Sequence, residues 1–326
     1  MPRIARIKVK GEPAVYHVMS RTALDGFVMG DVEKDFLLNL MKRLSRLYFA
    51  EILGFCLMGN HFHLLARMRL GKDYADEEIN ERYKAFYKTK GEDEETDRLD
   101  LTEGQIAHFR SKWEDLSEFI RDIKQNFSRF YNRRHNRRGF FWAERFKSVI
   151  VDNGDTLINC LAYIDLNAVR AKLVERPEQY RWSSIGYHVQ RDNEDGLLSL
   201  DFGLAEFGHS NTADRLSHYR RFLYEKGGMG QRSEIRGRKS EEGQRRHIDR
   251  NVIEAEQERD FRLNEFDRFR YRTRYFIDSG VIGSREFVER IYQQFKHYFT
   301  SSHEKHPKAI KGLDGVYSLK RLSETI

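Results

Sequence analysis

Proline is scarce and cysteine scarcer, with four prolines and two cysteines in 326 residues. That shortage excludes collagen-like and proline-rich chains, and it excludes a small scaffold stapled by disulfides. Cys56 and Cys160 lie in apolar runs and read as small core residues of a protein kept in a reducing cytosol. Long hydrophobic runs are missing as well. No window reaches the roughly 20 apolar residues that a membrane-spanning helix needs, and the opening Met1-Pro2-Arg3-Ile4-Ala5-Arg6 has no signal-peptide stretch. The expectation is a soluble cytoplasmic protein with no membrane contact. What the chain does have is aromatic residues (13%), enough to build a core, and a dense charge. Its 58 Lys and Arg outnumber 51 Asp and Glu, for a net charge of +7. A basic, charge-dense chain suggests a polyanionic partner.

Hydrophobic periodicity divides the chain. Ala14–Ser20 alternates as a strand after the turn Gly11-Glu12-Pro13, and Val32–Tyr48 carries Phe36, Leu37, Leu40, Met41, Leu44 and Leu47 at helical spacing behind Asp31 as a cap. Ile52–Met58 and His61–Met68 read as a hairpin across Gly59-Asn60. Strand, helix, strand, strand opens a split βαβ layout. The expected class is therefore α+β: a ferredoxin-like antiparallel sheet with helices on one face, plus a small all-α C-terminal region. Residues 72–115 are acidic and read as helices joined by a solvated loop around Gly91. A long helix follows over Leu116–Arg134, then a strand over Phe146–Val151 and a helix over Asp155–Ala171. Residues 201–258 read as a linker, because 225–250 is rich in Gly, Ser, Arg and Glu. In 259–326, aromatic residues precede Ser279–Gly283, and Ser284 caps a helix through Tyr298, which suggests a helix-turn-helix DNA-binding region.

Three features carry chemistry. In Asn60-His61-Phe62-His63, strand alternation sends both imidazoles to one face and Phe62 to the other. This is half of a metal site, or simply two half-buried strand histidines. Tyr163 and Asn167 stand four residues apart and share a helix face, either as a nucleophile beside a metal-binding amide or as a core tyrosine with its hydroxyl at the surface. The block 121–147 holds nine Lys and Arg against two Asp and Glu, interleaved with Phe127, Phe130, Tyr131, Phe140, Phe141 and Trp142. Guanidinium groups pair with phosphates and aromatic rings stack on unpaired bases; the bland alternative is a solvated cationic surface.

Taken together and in order, these motifs resemble one family. Tyr16-His17-Val18-Met19-Ser20-Arg21, Gly59-Asn60-His61-Phe62-His63, Phe130-Tyr131-Asn132-Arg133-Arg134-His135, Arg145-Phe146-Lys147-Ser148, Tyr163-Ile164-Asp165-Leu166-Asn167 and Tyr180-Arg181-Trp182-Ser183-Ser184 are similar to motifs of the REP-associated tyrosine transposases, single-tyrosine HUH enzymes. The likeness covers about residues 1–190 and implies an HUH domain over 1–200 with the acidic insertion at 72–115. It implies His61, His63 and Asn167 as ligands of Mg²⁺ or Mn²⁺ and Tyr163 as the nucleophile. Arg21, Asn132, Arg133, Arg134, Arg137, Arg138, Arg145 and Lys147 become DNA-binding residues. The implied substrate is single-stranded or hairpin DNA, cut and rejoined through a 5′-phosphotyrosine, and the implied assembly is a homodimer in the bacterial cytoplasm. A DNA-binding regulator with an idle site, and a hydrolase in which His61 and His63 activate water, are the rival readings. Gly59 and Ala168 stand where the family usually has proline. Without a proline after Asn167, the tyrosine helix is expected to run on.

Overall fold

The computed structural model describes residues 8–9, 11–88, 100–199, 211–228, 248–263, 282–296, 304–309 and 317–319. Its centre is a four-stranded antiparallel sheet of β1 (Ala14–Arg21), β2 (Ala50–Leu57), β3 (His61–Met68) and β4 (Lys147–Val151), in the order β2-β3-β1-β4. Helix α1 (Asp31–Leu47) joins β1 to β2, and β3 returns between them. Gly30 rather than Asp31 is the cap of α1: the Glu33 carboxylate accepts from the Gly30 N–H at 3.0 Å, and Asp31 is the first helical residue.

Helices cover both faces of the sheet, not one. Helices α1 and α4 (Leu116–Arg134) pack on the face carrying Phe62, whose ring meets Trp142, which in turn meets Phe127 of α4. Helix α5 (Asp155–Asp165) lies on the opposite face, so close to β2 that a Cβ on Gly54 would sit 2.2 Å from Leu161. The reason is legible in β2 itself. Its sequence Ala-Glu-Ile-Leu-Gly-Phe-Cys-Leu is apolar on both sides and, Glu51 apart, buried throughout, so each face needs a cover.

The acidic stretch holds α2 (Asp76–Lys88) and α3 (Glu103–Trp113), and the loop around Gly91 lies outside the described residues. Ile79, Ile106 and Trp113 are buried in the same core as the sheet, so these helices are part of it. The tyrosine helix does not run on to Ala171. It stops at Leu166, and a short helix, α6 (Asn167–Arg170), follows. The Asn167 amide donates to the carbonyls of Tyr163 (3.1 Å) and Ile164 (3.2 Å), capturing backbone acceptors that a longer helix would use. Helix α7 (Ser184–Arg191) then closes against β2.

Two helices stand where a linker was expected. Helices α8 (Thr212–Gly228) and α9 (Arg250–Gln257) bury Tyr219, Leu223 and Tyr224 in the main core; residues 229–247 lie outside the description. Polar composition misled because the anchors are a few aromatic residues and buried ion pairs. Near the C-terminus, β5 (Ile282–Gly283), α10 (Arg285–Phe295), β6 (Lys308–Ala309) and β7 (Tyr317–Ser318) make a helix on a three-stranded sheet, so this region is not all-α. Ser284 does cap its helix, accepting from the Phe287 N–H at 3.2 Å. The first helix of the expected helix-turn-helix falls largely on 264–281, outside the described residues. Among the described residues no helix is long and apolar enough to cross a membrane.

Candidate functional site

Register places the chemistry. Arg21 of β1 lies opposite His61, Met19 opposite His63 and His17 opposite Leu65. Paired residues share a face, so His17, Met19, Arg21, His61 and His63 all stand on the α5 side. Lys147 of β4, opposite Met19, joins them. Phe62 points the other way and is fully buried against Trp142, which holds the strand from behind.

The imidazoles are oriented by neighbours. His61 Nδ1 is 2.6 Å from Asn60 Oδ1, an atom that only accepts, so Nδ1 carries the proton and Nε2 keeps its lone pair. His63 Nδ1 is 2.9 Å from His17 Nε2, which leaves His63 Nε2 outside that bond. Burial pushes His61 down to about 4, with Arg21 adding to the effect, and His17 to about 4. His63 falls to about 2 through burial first, then through His17, His61 and Arg170. All three are neutral at pH 7, the state a metal ligand requires.

Tyr163 reaches this group from α5. Its ring stands edge-on to His63 at 5.8 Å and to His17 at 6.0 Å between centroids, and its side chain is 44% exposed. Arg170 covers the tyrosine ring with its guanidinium 4.3 Å from the centroid and donates to the Tyr163 carbonyl. Asn167 is turned back on its own helix, and the structure does not bring it to the histidines. Its amide nitrogen is occupied by backbone carbonyls, its Oδ1 is the atom left for a ligand, and it makes no hydrogen bond to either histidine. Among the described residues no group of three or more His, Cys, Asp or Glu is arranged to hold a metal ion. The donors that the structure brings together are thus the two neutral imidazoles of His61 and His63. They fit a divalent cation that keeps open positions for phosphate and water.

The sequence reading missed His17 and Arg170. Both had a signal: His17 shares the two-residue alternation of β1 with Met19 and Arg21, and Arg170 lies seven residues, two helical turns, after Tyr163. Tyr131, the tyrosine inside the basic block, is only 5% exposed and is stacked on His135, with centroids 4.1 Å apart.

The expected DNA-binding residues divide. Arg21, Arg133, Arg138, Arg145 and Lys147 are exposed, and none has a carboxylate partner among the described residues. Arg145 lines a groove of about 430 Å³ with Arg121 and Lys124 over Trp142 and Phe146. Arg134 instead pairs with Glu33 at 3.1 Å, and His135 bonds the same oxygen at 3.0 Å. Burial pushes the Glu33 carboxyl up, but these partners together hold it below the usual carboxylate range. Asn132 donates to the Gly139 carbonyl at 2.9 Å and shapes the loop, and Arg137 is half-buried beside the Tyr131 ring. The interleaved aromatics are mostly core: Phe127, Tyr131, Phe141 and Trp142 are buried, and Phe130 stacks on Phe36 at 3.7 Å.

No family model and no curated protein matches the chain. Among solved structures it is similar to a REP-associated tyrosine transposase bound to a REP hairpin, at 17% identity and a TM-score of 0.39, over 62% of this chain and 91% of that one.

Proposed function

We propose that this chain is a single-tyrosine HUH nuclease and strand transferase, of the REP-associated transposase type, that cuts and rejoins single-stranded or hairpin DNA. The observation that carries the reading is Tyr163, partly exposed on α5, with its ring edge-on to His63 and His17 on the face of the sheet that α5 covers. The strand order β2-β3-β1-β4, with β3 between the two strands that α1 connects, supports the split βαβ layout of such a domain.

Tyr163 Oη attacks a backbone phosphorus. A tyrosine–phosphorus bond forms, the bond to the 3′-oxygen breaks, and the products are a 5′-phosphotyrosine and a free 3′-hydroxyl. The reverse attack by a 3′-hydroxyl reseals the strand without ATP, because the phosphotyrosine keeps the diester's energy. His61 and His63 through Nε2, with Asn167 through Oδ1, would hold Mg²⁺ or Mn²⁺, which when bound polarises the phosphate and stabilises the departing oxygen. Arg170 sets positive charge over the tyrosine ring, where negative charge gathers. Arg21 and Lys147, on the same face as the histidines, track the strand's phosphates. Tyrosine and histidines come from one chain, so the cluster needs no second copy to be complete.

The test is a hairpin oligonucleotide labelled 5′ or 3′ of the cut, incubated with Mn²⁺ and run on denaturing gels. Wild type forms a covalent adduct carrying only the 3′ segment. Tyr163→Phe loses that adduct and keeps DNA binding, while Tyr131→Phe retains it. An adduct that persists in Tyr163→Phe defeats the proposal. Cleavage without any adduct would assign the site to a water-activating hydrolase.

A further inference from the structure

The two most exposed large apolar side chains among the described residues are Phe140, at 89%, and Phe27, at 78%. They sit on adjoining loops. The Ala23 N–H donates to the Phe141 carbonyl at 2.7 Å and the Ala143 N–H to the Arg21 carbonyl at 3.0 Å, so the two segments run side by side. The first loop is also tied down over the β2–β3 turn, by Thr22 N–H to the Asn60 carbonyl at 2.9 Å and Met29 N–H to the Gly59 carbonyl at 2.8 Å.

Phe27 therefore does not dangle. A Cβ on Gly59 would come within 2.8 Å of the Phe27 Cβ and 2.9 Å of its Cδ1, so the absence of a side chain at 59 is what lets Phe27 lie there. Gly26, at φ +77, makes the turn that presents it. The outcome is an aromatic ring held in place on the turn that begins Asn60-His61, with its face left to solvent. Arg21 ends β1 and Arg138 lies in the loop before Phe140, while Arg133 stands in the last turn of α4 that leads into that loop; the three lack carboxylate partners among the described residues. Exposed aromatic faces, one of them held against Gly59, among unneutralised guanidiniums match the chemistry of one ligand class, a polyanion with unpaired flat rings.

We propose that Phe27 and Phe140 are stacking platforms for unpaired nucleobases, which align a single strand so that its phosphate reaches His61, His63 and Tyr163. This rests on the nuclease reading above and deepens it. The experiment uses the full chain and single-stranded oligonucleotides carrying 2-aminopurine at successive positions, titrated at several salt concentrations. Wild type should quench the probe at one or two positions. Phe27→Ala and Phe140→Ala should each weaken binding roughly tenfold and abolish quenching at one position, with an unchanged salt slope because no phosphate contact is lost. Phe27→Trp and Phe140→Trp should restore both. Thermal midpoints of the Ala variants should match wild type, since both rings are exposed.

Wild-type-like affinity and quenching in the double Ala variant would overturn this inference while leaving the nuclease reading intact. A wild type that binds no single-stranded DNA would end both. A wild-type dimer that the double variant dissociates, with unaltered DNA binding, would reassign the two rings to a protein contact.

Discussion

Arginine does opposite work at two places in this molecule. On the back of the tyrosine helix, Arg220 of α8 is fully buried between Glu178 and Glu256, with Nη2 2.8 Å from Glu256 and Nη1 on the Phe261 carbonyl; Arg176 shares Glu256. Every charge there has a partner, as burial demands. At the histidine end, Arg21, Arg133, Arg138, Arg145 and Lys147 stand exposed without carboxylates among the described residues, while His63 is buried, His17 and His61 are half-buried, and all three imidazoles are neutral. Paired charge fastens elements together, and unpaired charge waits for an external anion. The fastening bears on the site. Asp165, two residues after Tyr163, accepts from the Tyr219 hydroxyl of α8 at 2.7 Å and from the Ile185 N–H at 3.0 Å. The C-terminal helices thus hold the helix that presents Tyr163.

The largest effect should come from breaking the paired side. Arg220→Met leaves the buried Glu178 without a cation and Glu256 with Arg176 alone, and should cost roughly 3–5 kcal/mol, read as a lowered urea midpoint. Arg133→Ala, at the unpaired end, should stay within about 0.5 kcal/mol of wild type. Equal losses would erase the distinction.

The two regions should also respond to pH in opposite directions. Burial raises the Asp165 carboxyl to about 7, against hydrogen bonds from Ile185, Tyr219 and Ser184 that pull it down. Between its ordinary value and 7 the folded state holds a proton that the unfolded state has lost, so this contribution declines as pH rises through that window. For His17, lowered to about 4 by burial, the unfolded state binds the extra proton, and its contribution is lost as pH falls from about 6.5 towards 4. Urea midpoints measured from pH 4 to 8 should therefore rise more steeply with pH in Asp165→Asn and less steeply in His17→Gln. Shifts of the same sign would contradict the assignment.

A smaller effect tests the close approach at the hairpin. Gly59→Ala should destabilise by about 1–3 kcal/mol; Phe27→Ala in the same chain, which removes the ring but keeps the Cβ 2.8 Å from the new methyl, should recover only part of it. The smallest changes in stability accompany the clearest changes in binding: Arg133→Ala and Arg138→Ala should each lower the salt slope of single-strand binding by about 1. Arg134→Ala, whose guanidinium already belongs to Glu33, should change stability more and the slope less.

Local pattern was enough for the four strands of the main sheet, though not for the small C-terminal sheet, for α1 and α4, and for the shared face of His61 and His63, because each follows from a period of two or 3.6 residues. Ser284 and the glycine of Gly59-Asn60 were legible for the same reason. Four things were not. The union of His17 with His63 depends on which strands neighbour each other, and strand order is a long-range choice. The break at Leu166 depends on where the Asn167 amide turns, toward carbonyls or toward solvent. Helices α8 and α9 hid in a polar composition because a fully buried arginine and a few tyrosines carry their attachment. Which aromatics of the basic block are core and which are surface followed only from packing. Sequence by itself determined the repeating backbone and the chemical types at the site; tertiary structure decided which groups meet and which charges are paired, because burial and partnership belong to pairs of residues far apart in the chain.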